Sequence, residues 1–336
     1  MTALHLSWQP LTLDLKTTFR IAHGASDQRH NLLAFVDGGV GEAAVVPYYG
    51  ETQEGVIVYF EHIQNQLGDD PFLLEDILNR LPPGSRAARS AIDIALHDLL
   101  GQRLGQPLYR LLGLNPQAIP PTSFTIGIAE PDVMARQAKE SGYSHLKIKL
   151  GSQNDEARLA AIREATQARL RVDANAGWTF PQAVRLIPRL VDYDLDFIEQ
   201  PLPTGDLEGL RQLRAELKAQ KVAIPIFVDE NVRSARDVAA HAGLVEGVVI
   251  KLMKCGGIRA ALRAIAVARA LDMQVMLSCM VESSVNVTAA AHLAALADYV
   301  DLDSPLLIRN DPYRGIQYQG DRILLPDRPG LGLVKS

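Results

Sequence analysis

The chain has 336 residues, 47% of them hydrophobic and 22% charged, with a formal net charge of −5. These values suit a globular protein with a full core, and they offer no basic surface for nucleic acid or an anionic membrane. No apolar run approaches the roughly 20 residues of a membrane helix. The opening stretch, Met1 to Pro10, has no cationic segment followed by an apolar one, so the chain is read as cytoplasmic. Cys255 and Cys279 are too few for a disulfide framework and are read as free thiols in a reducing compartment. The oligomeric state is left open by the sequence, a homo-oligomer included.

In chain order, residues 3–20 and 30–46 carry alternating or apolar runs that predict strands, with a polar, glycine-containing loop over 21–30 between them. Helices are predicted near 53–67 and 85–104. The second has Ser85 as its N-cap and ends at Gly105, with Pro107 beyond it. This is an α+β module, taken as residues 1–115.

From about residue 120 short β-rich runs alternate with longer helical ones. The strands are predicted at 122–127, 145–150, 170–175, 196–201, 224–230, 247–252, 275–280 and 299–303. Eight such units predict an α/β fold of the (β/α)8-barrel type, over residues 116–310, behind the N-terminal capping module. Residues 311–336 are expected to return to the cap. No Gly-x-Gly-x-x-Gly follows any strand, which leaves dinucleotide binding without support.

In a barrel, reactive side chains come from the C-terminal ends of the strands. The polar residues fall there. Lys147 and Lys149 end the second strand, Asp173 and Asn175 the third, and Glu199 the fourth. Asp229 and Glu230 end the fifth, Lys251 the sixth, and Asp301 and Asp303 the eighth. From Lys149 to Asp173, Glu199, Asp229 and Lys251 the spacings are 24, 26, 30 and 22 residues, each about one βα unit. Side chains alternate along a strand, so Leu146, Ile148 and Leu150 share the face toward the helices while Lys147 and Lys149 share the interior face. An isolated Lys-x-Lys is most simply a solvated edge. A closed barrel has no edge, and an interior ammonium is costly unless paired or used.

Asp173, Glu199 and Asp229 put three carboxylates at the mouths of consecutive strands. Three hard oxygen ligands, with no His or Cys among them, suit Mg²⁺ and argue against zinc. The blander reading is three unrelated strand-end acids.

Taken together, Lys147-Ile-Lys149, Val-Asp173-Ala-Asn175, Ile-Glu199-Gln-Pro201, Val-Asp229-Glu230 and Ile-Lys251-Leu resemble the enolase superfamily, in its muconate-lactonizing subgroup. The resemblance covers nearly the whole chain. Thr122–Ile128, Ile250–Gly257 and Asp301-Leu-Asp303 are similar to the dipeptide epimerases of the L-Ala-D/L-Glu type.

This resemblance implies a Mg²⁺-dependent isomerase acting on a dipeptide. Lys149 and Lys251 are the implied acid/base pair, on opposite sides of the barrel, and the reaction is a 1,1-proton transfer at the α-carbon of the C-terminal residue. Lys147 is the implied aid in neutralising the enolate. Asp301 and Asp303 are the implied site for the free α-ammonium, with Thr125, Cys279 and Met280 beside the substrate. Asn175 and Glu230 are the implied supports of the ligands. Burial and nearby cations are expected to lower the lysine pKa values.

A lid over about 19–29 is implied as well, with Phe19, Arg20, Ile21, His23 and Ser26 contributing. Here the sequence departs from the family's Ala-Glu pattern, because Ser26 stands where that pattern has an Arg that holds the glutamate side chain. Arg20, His23 and Arg29 are the substitutes at hand. An apolar second residue, or a cationic one met by Asp27, is the alternative, and the dipeptide itself stays open.

Met253, Cys255, Met276, Cys279 and Met280 read as core, as do Trp178, His97, His145 and His292, although Cys279 to Glu282 are placed to touch substrate through the backbone. Competing enzyme readings within the subgroup are o-succinylbenzoate synthase, N-acylamino acid racemase and cycloisomerase. A non-catalytic barrel that binds an amino acid or peptide is the reading from another class.

Overall fold

A computed structural model describes residues 3–336. The cap begins with an antiparallel sheet of β1 (Leu6–Ile21), β2 (Gly24–Val36) and β3 (Gly39–Ala43), followed by α1 (Gln53–Ile63), α2 (Leu74–Arg80) and α3 (Arg86–Leu104). Ser85 caps α3 by accepting a hydrogen bond from the Ala88 N–H, and Gly105 ends it at φ 64°, a left-handed geometry that glycine adopts without penalty. β3 lies so close on α3 that a Cβ at Gly41 would sit 1.9 Å from the Ala91 carbonyl oxygen.

The predicted loop over 21–30 is a correction. Phe19–Ile21 pairs with Gly24–Ser26, and β1 and β2 run as one long ribbon turning at Ala22-His23. Most of the ribbon's tip is exposed or half-exposed, so burial imposes no apolar alternation on its sequence and the strand pattern is missing there. The helix predicted over 53–67 stops at Ile63, and α2 was not predicted.

Eight parallel strands follow. They are β4 (Phe124–Ile126), β5 (His145–Lys149), β6 (Arg169–Asp173), β7 (Leu195–Glu199), β8 (Ile226–Val228), β9 (Gly247–Ile250), β10 (Gln274–Ser278) and β11 (Tyr299–Asp301). Each pairs with the next in chain order, and the Thr122↔Val300 bridge brings the last beside the first. The intervening helices are α4 (Pro131–Ser141), α5 (Asp155–Ala165), α6 (Phe180–Leu190), α7 (Leu207–Ala219), α8 (Ala235–Ala240), α9 (Ile258–Ala270) and α10 (Ser284–Ala291). This is the (β/α)8-type barrel behind an N-terminal cap that the residue pattern predicts. Among the described residues no helix is long and apolar enough to cross a membrane.

Leu146, Ile148, Leu170, Val172, Val248 and Ile250 are fully buried between strands and helices. Leu11, Leu13, Leu33 and Val40 of the cap pack on Val281, Val285 and Ile308, which docks the cap sheet over the barrel mouth. The barrel floor is filled by Phe197, Phe227, Val249 and Met276 with Tyr299. The Arg171 guanidinium lies 4.9 Å from the Tyr299 ring centroid and 5.9 Å from that of Phe197, a cation–π arrangement.

After the barrel, Tyr313–Arg314 pairs with Val334–Lys335. The Leu331 N–H donates to Asp98 of α3 at 2.8 Å, and the Thr122 N–H donates to the Asp321 carbonyl. The final segment therefore touches both cap and barrel.

Candidate active site

The strand register puts Lys149 beside Asp173, and Asp173 beside Glu199, at one end of the barrel. Asp229 follows β8, and Lys251 follows β9. A cavity of about 140 Å³ opens there under the cap. The barrel contributes Lys147, Lys149, Asp229, Lys251, Asp301 and Asp303 to its lining, and the cap contributes Phe19, Ile21, His23 and Arg29. Thr125, Asn175, Glu230, Cys279 and Met280 also line it. Asp173 and Glu199 lie beneath, fully buried. Arg20 and Ser26 are not among the lining residues of this cavity. Ser26 faces a side chamber under the ribbon, and Asp27 accepts from the Thr18 hydroxyl in a separate hollow.

The buried lysines are all paired. Lys149 Nζ is 2.6 Å from Asp173 Oδ2, and Lys251 Nζ is 2.7 Å from Asp229 Oδ2. Lys147 Nζ reaches Asp173, Glu199 and Asp301 at 3.2, 3.0 and 3.1 Å. Lys254, from the turn after β9, donates to the Asp229 carboxylate and main-chain carbonyl and to the Val249 carbonyl. Asn175 donates its N–H to Asp173 Oδ1 at 2.8 Å and its amide to Glu230 Oε1 at 3.1 Å. Asp229 is further fixed where its N–H donates to Gln200 Oε1.

For Lys251 and Lys147 these pairings reverse the expected direction of the pKa shift. Burial acts to lower Lys251, but the Asp229 carboxylate more than offsets it and the ammonium is held above its ordinary range. Lys147 is raised in the same way, by Asp301, Glu199 and Asp173 against burial. Burial opposes ionisation of Asp173, yet Lys149 and Lys147 hold it well below the usual carboxylate range. Asp229 is lowered against burial by Lys251 and Lys254. Glu199 is pushed well up, by burial and then by Asp173 beside it.

Among the described residues no three of the His, Cys, Asp and Glu side chains are grouped closely enough to share one ion. The lysines draw the acids apart, Asp173 toward Lys149 and Asp229 toward Lys251 and Lys254. The donor chemistry nevertheless fits a hard cation. Glu199 Oε2, Glu230 Oε2 and Asn175 Oδ1 are buried oxygens that accept no hydrogen bond. The 3.0 Å approach of Lys147 to Glu199 Oε2 is not aligned as one. Unsatisfied buried oxygens beside three carboxylates are the atoms that a divalent ion of the Mg²⁺ type takes.

At the opposite wall, Asp301 accepts from the Ser123 and Ser278 hydroxyls at 2.7 and 2.9 Å. β11 ends at Asp301, so Asp303 stands just past the strand, where its Oδ2 accepts the Thr125 N–H at 2.7 Å. Burial and then the Asp301 charge push Asp303 up to about 7.

The reading of the sequence missed Lys254 and Tyr49. Lys254 sits in an apolar run, and nothing in its spacing marks it as interior. Tyr49 lines the cavity from the turn after β3, and its phenol is raised by burial and then by Asp229 and Glu230. Of the residues set aside as core, Cys279 and Met280 reach the cavity, while Trp178 is buried with its indole N–H on Asp155.

Residues 17–113 match the mandelate racemase / muconate lactonizing enzyme N-terminal domain, and residues 132–335 match the enolase C-terminal domain-like family. The L-Ala-D/L-Glu epimerase of Bacteroides thetaiotaomicron is 38% identical, over 99% of this chain and 88% of that protein. This chain belongs to the dipeptide epimerase family of the enolase superfamily. Another family member, the hydrophobic dipeptide epimerase of Roseobacter litoralis, is 44% identical over 74% of each chain. The family fold is matched at a TM-score of 0.92 and 34% identity, over 99% of both chains, by the dipeptide epimerase of Enterococcus faecalis V583 complexed with Mg and L-Leu-L-Tyr.

Proposed function

We propose that the protein is a Mg²⁺-dependent dipeptide epimerase that inverts the α-carbon of the C-terminal residue. The observation that carries this reading is that Lys149 and Lys251, on β5 and after β9, line one cavity together with Asp301 and Asp303. In an eight-strand ring β5 and β9 are diametrically opposed, so the two amines address opposite faces of whatever lies between them.

The dipeptide's α-ammonium goes to Asp301 and Asp303, two crowded carboxylates that together favour a cation. Its α-carboxylate goes to the opposite wall, above Asp173, Glu199 and Asp229. Those three acids are the ones that would hold Mg²⁺, which when bound supplies Lewis-acid stabilisation of the charge that builds on the substrate carboxylate. One lysine takes the α-proton from one face and the other delivers a proton to the opposite face. The Asp229 carboxylate holds the Lys251 ammonium above its ordinary range against burial, so Lys251 can take a proton only where that pairing loosens. Lys147 remains as a fixed positive charge beside the developing enolate. Asn175 and Glu230 orient Asp173 and the acids around it.

The division of labour follows the chain. Residues 1–115, completed by 311–336, act as the cap, and 116–310 as the catalytic barrel. The ribbon tip at Phe19, Ile21 and His23 forms the roof, which excludes water from the site.

The test is incubation with Mg²⁺ and a set of dipeptides in D₂O, followed by NMR and chiral analysis. Deuterium at the C-terminal α-carbon with loss of chirality supports the reading. Exchange only with N-acylamino acids, or dehydration of a succinylbenzoate precursor, would replace it with another activity of the subgroup.

A further inference from the structure

We infer that His241 is a positioning residue for Asp229, acting from outside the cavity through Asn231 and Gln200, an inference that rests on the proposed role of Asp229 in holding Mg²⁺. The β7–β8 ladder closes at Glu199 and Phe227, short of Asp229, and the Gln200 N–H donates to the Phe227 carbonyl at 2.8 Å. In a regular parallel ladder the Gln200 carbonyl would next accept the Asp229 N–H. Instead the chain turns at Gln200, whose φ is 39°, a left-handed value uncommon outside glycine. The turned carbonyl accepts the Ala176 N–H, past the end of β6, at 2.8 Å. The Gln200 side chain takes its place, with Oε1 accepting the Asp229 N–H at 2.9 Å. The position of Asp229 relative to Glu199 is thus set by a side-chain amide and not by the sheet.

That amide, fully buried, is held in turn. Gln200 Nε2 donates to the Leu202 carbonyl at 2.8 Å and to Asn231 Oδ1 at 3.3 Å. Asn231 Oδ1 also accepts the Gly205 N–H at 3.2 Å, and Asn231 Nδ2 donates to His241 Nε2 at 2.9 Å. His241, buried just past the end of α8, donates from Nδ1 to the Asp237 carbonyl at 2.7 Å.

Main-chain groups, which cannot turn over, dictate every polarity in this chain. The Asp229 N–H and the Leu202 carbonyl orient the Gln200 amide. The Gly205 N–H holds Asn231 Oδ1 on its own side, so Asn231 presents N–H groups to the ring and His241 Nε2 must accept. The donors therefore run one way, from Asp229 to Asp237, with His241 as the last acceptor before the backbone of α8. Without an acceptor at 241 the half-buried Asn231 amide turns toward water to pair its N–H, because an unpaired donor is costly. Its oxygen is then drawn off Gln200, and the looseness passes to Asp229.

The test is Mg²⁺ affinity by titration calorimetry on the full chain, with circular dichroism as the control for folding. His241→Gln offers a carbonyl oxygen at the place of Nε2, whereas His241→Phe keeps the ring and removes the acceptor. The Gln variant is expected to bind Mg²⁺ like the wild type, and the Phe variant at least about 3-fold more weakly, the low end of coupling within one hydrogen-bond network. Gln200→Met is expected to lose about 10- to 100-fold, the range for a group that orients a ligand, and adding His241→Phe to it should cost nothing more. If Gln200→Met does not fold, the two His241 variants decide alone. Wild-type affinity in His241→Phe, an equal or larger loss in His241→Gln, or a double variant that loses the product of the two single effects overturns the inference while the metal reading stands. A wild type that does not bind Mg²⁺ overturns both.

Discussion

Lys254 grips Asp229 from behind. Its ammonium, fully buried, donates to the Asp229 carboxylate and to the Asp229 carbonyl, so one lysine fixes both the side chain and the backbone of the third acid. Lys251 approaches the same carboxylate from the cavity side. In the proposed reading, two lysines three residues apart divide the work, Lys251 facing the reaction and Lys254 holding Asp229 in place.

Replacing Lys254 by Met is therefore expected to weaken Mg²⁺ binding by about 10- to 100-fold, the usual cost of losing a residue that orients a ligand. Titration calorimetry on the folded variant, with circular dichroism as the control for folding, reads this directly. An unchanged Kd would mean that Asp229 needs no such support.

Removal of either cavity lysine separates the two faces. Lys149→Ala and Lys251→Ala are each expected to lower epimerization by about 10³-fold or more, within the range for a lost acid/base group. Each variant should still exchange the α-proton of one stereoisomer in D₂O, and the two variants should choose opposite stereoisomers. If both keep the same stereoisomer, the amines do not oppose one another.

Chelation with EDTA is expected to abolish turnover, and Mg²⁺ to restore it. Independently of activity, Mg²⁺ at 100 times its Kd should stabilise the fold by about 2.7 kcal/mol, visible as a rise in Tm. A Tm that ignores Mg²⁺ would count against the three acids as its site.

His292 gives the fold an acid-sensitive point far from the chemistry. It is buried at the end of α10, with Nδ1 accepting the Tyr109 N–H and Nε2 donating to the Leu331 carbonyl. Burial lowers its pKa from 6.5 to about 4. The folded state holds the neutral ring, so this stability is complete above about pH 6.5 and is lost as pH falls through about 4. The amount is about 3 kcal/mol. Urea unfolding at pH 7 and pH 4.5 should show a steeper loss in the wild type than in His292→Gln. Parallel losses would place the acid sensitivity elsewhere.

Much of this architecture is written in residue periodicity. Leu146, Ile148 and Leu150 alternate with Lys147 and Lys149, and burial on the helix side fixes which face looks inward. The acids of β6 to β8 stand at intervals of one βα unit for the same reason. What escapes is whatever depends on contacts across the chain. The ribbon tip carries no apolar alternation because neither of its faces is buried, and only its ladder to β1 makes it a strand. Lys254 looks like one more surface lysine until β8 is placed beside β9. The direction of the Lys251 and Lys147 shifts escapes as well, because burial and charge pairing oppose each other and pairing distances are not readable from spacing.

The aromatic plug of Phe197, Phe227 and Tyr299, sealed by Arg171, turns the barrel into a dead-end vessel. In the proposed reading, reactant and product share the end of the barrel that the plug leaves open, beneath the tip of the β1–β2 ribbon. Traffic there is alternating, because one molecule has to leave before the next can enter. A bulky group added at His23 would slow arrival and departure alike.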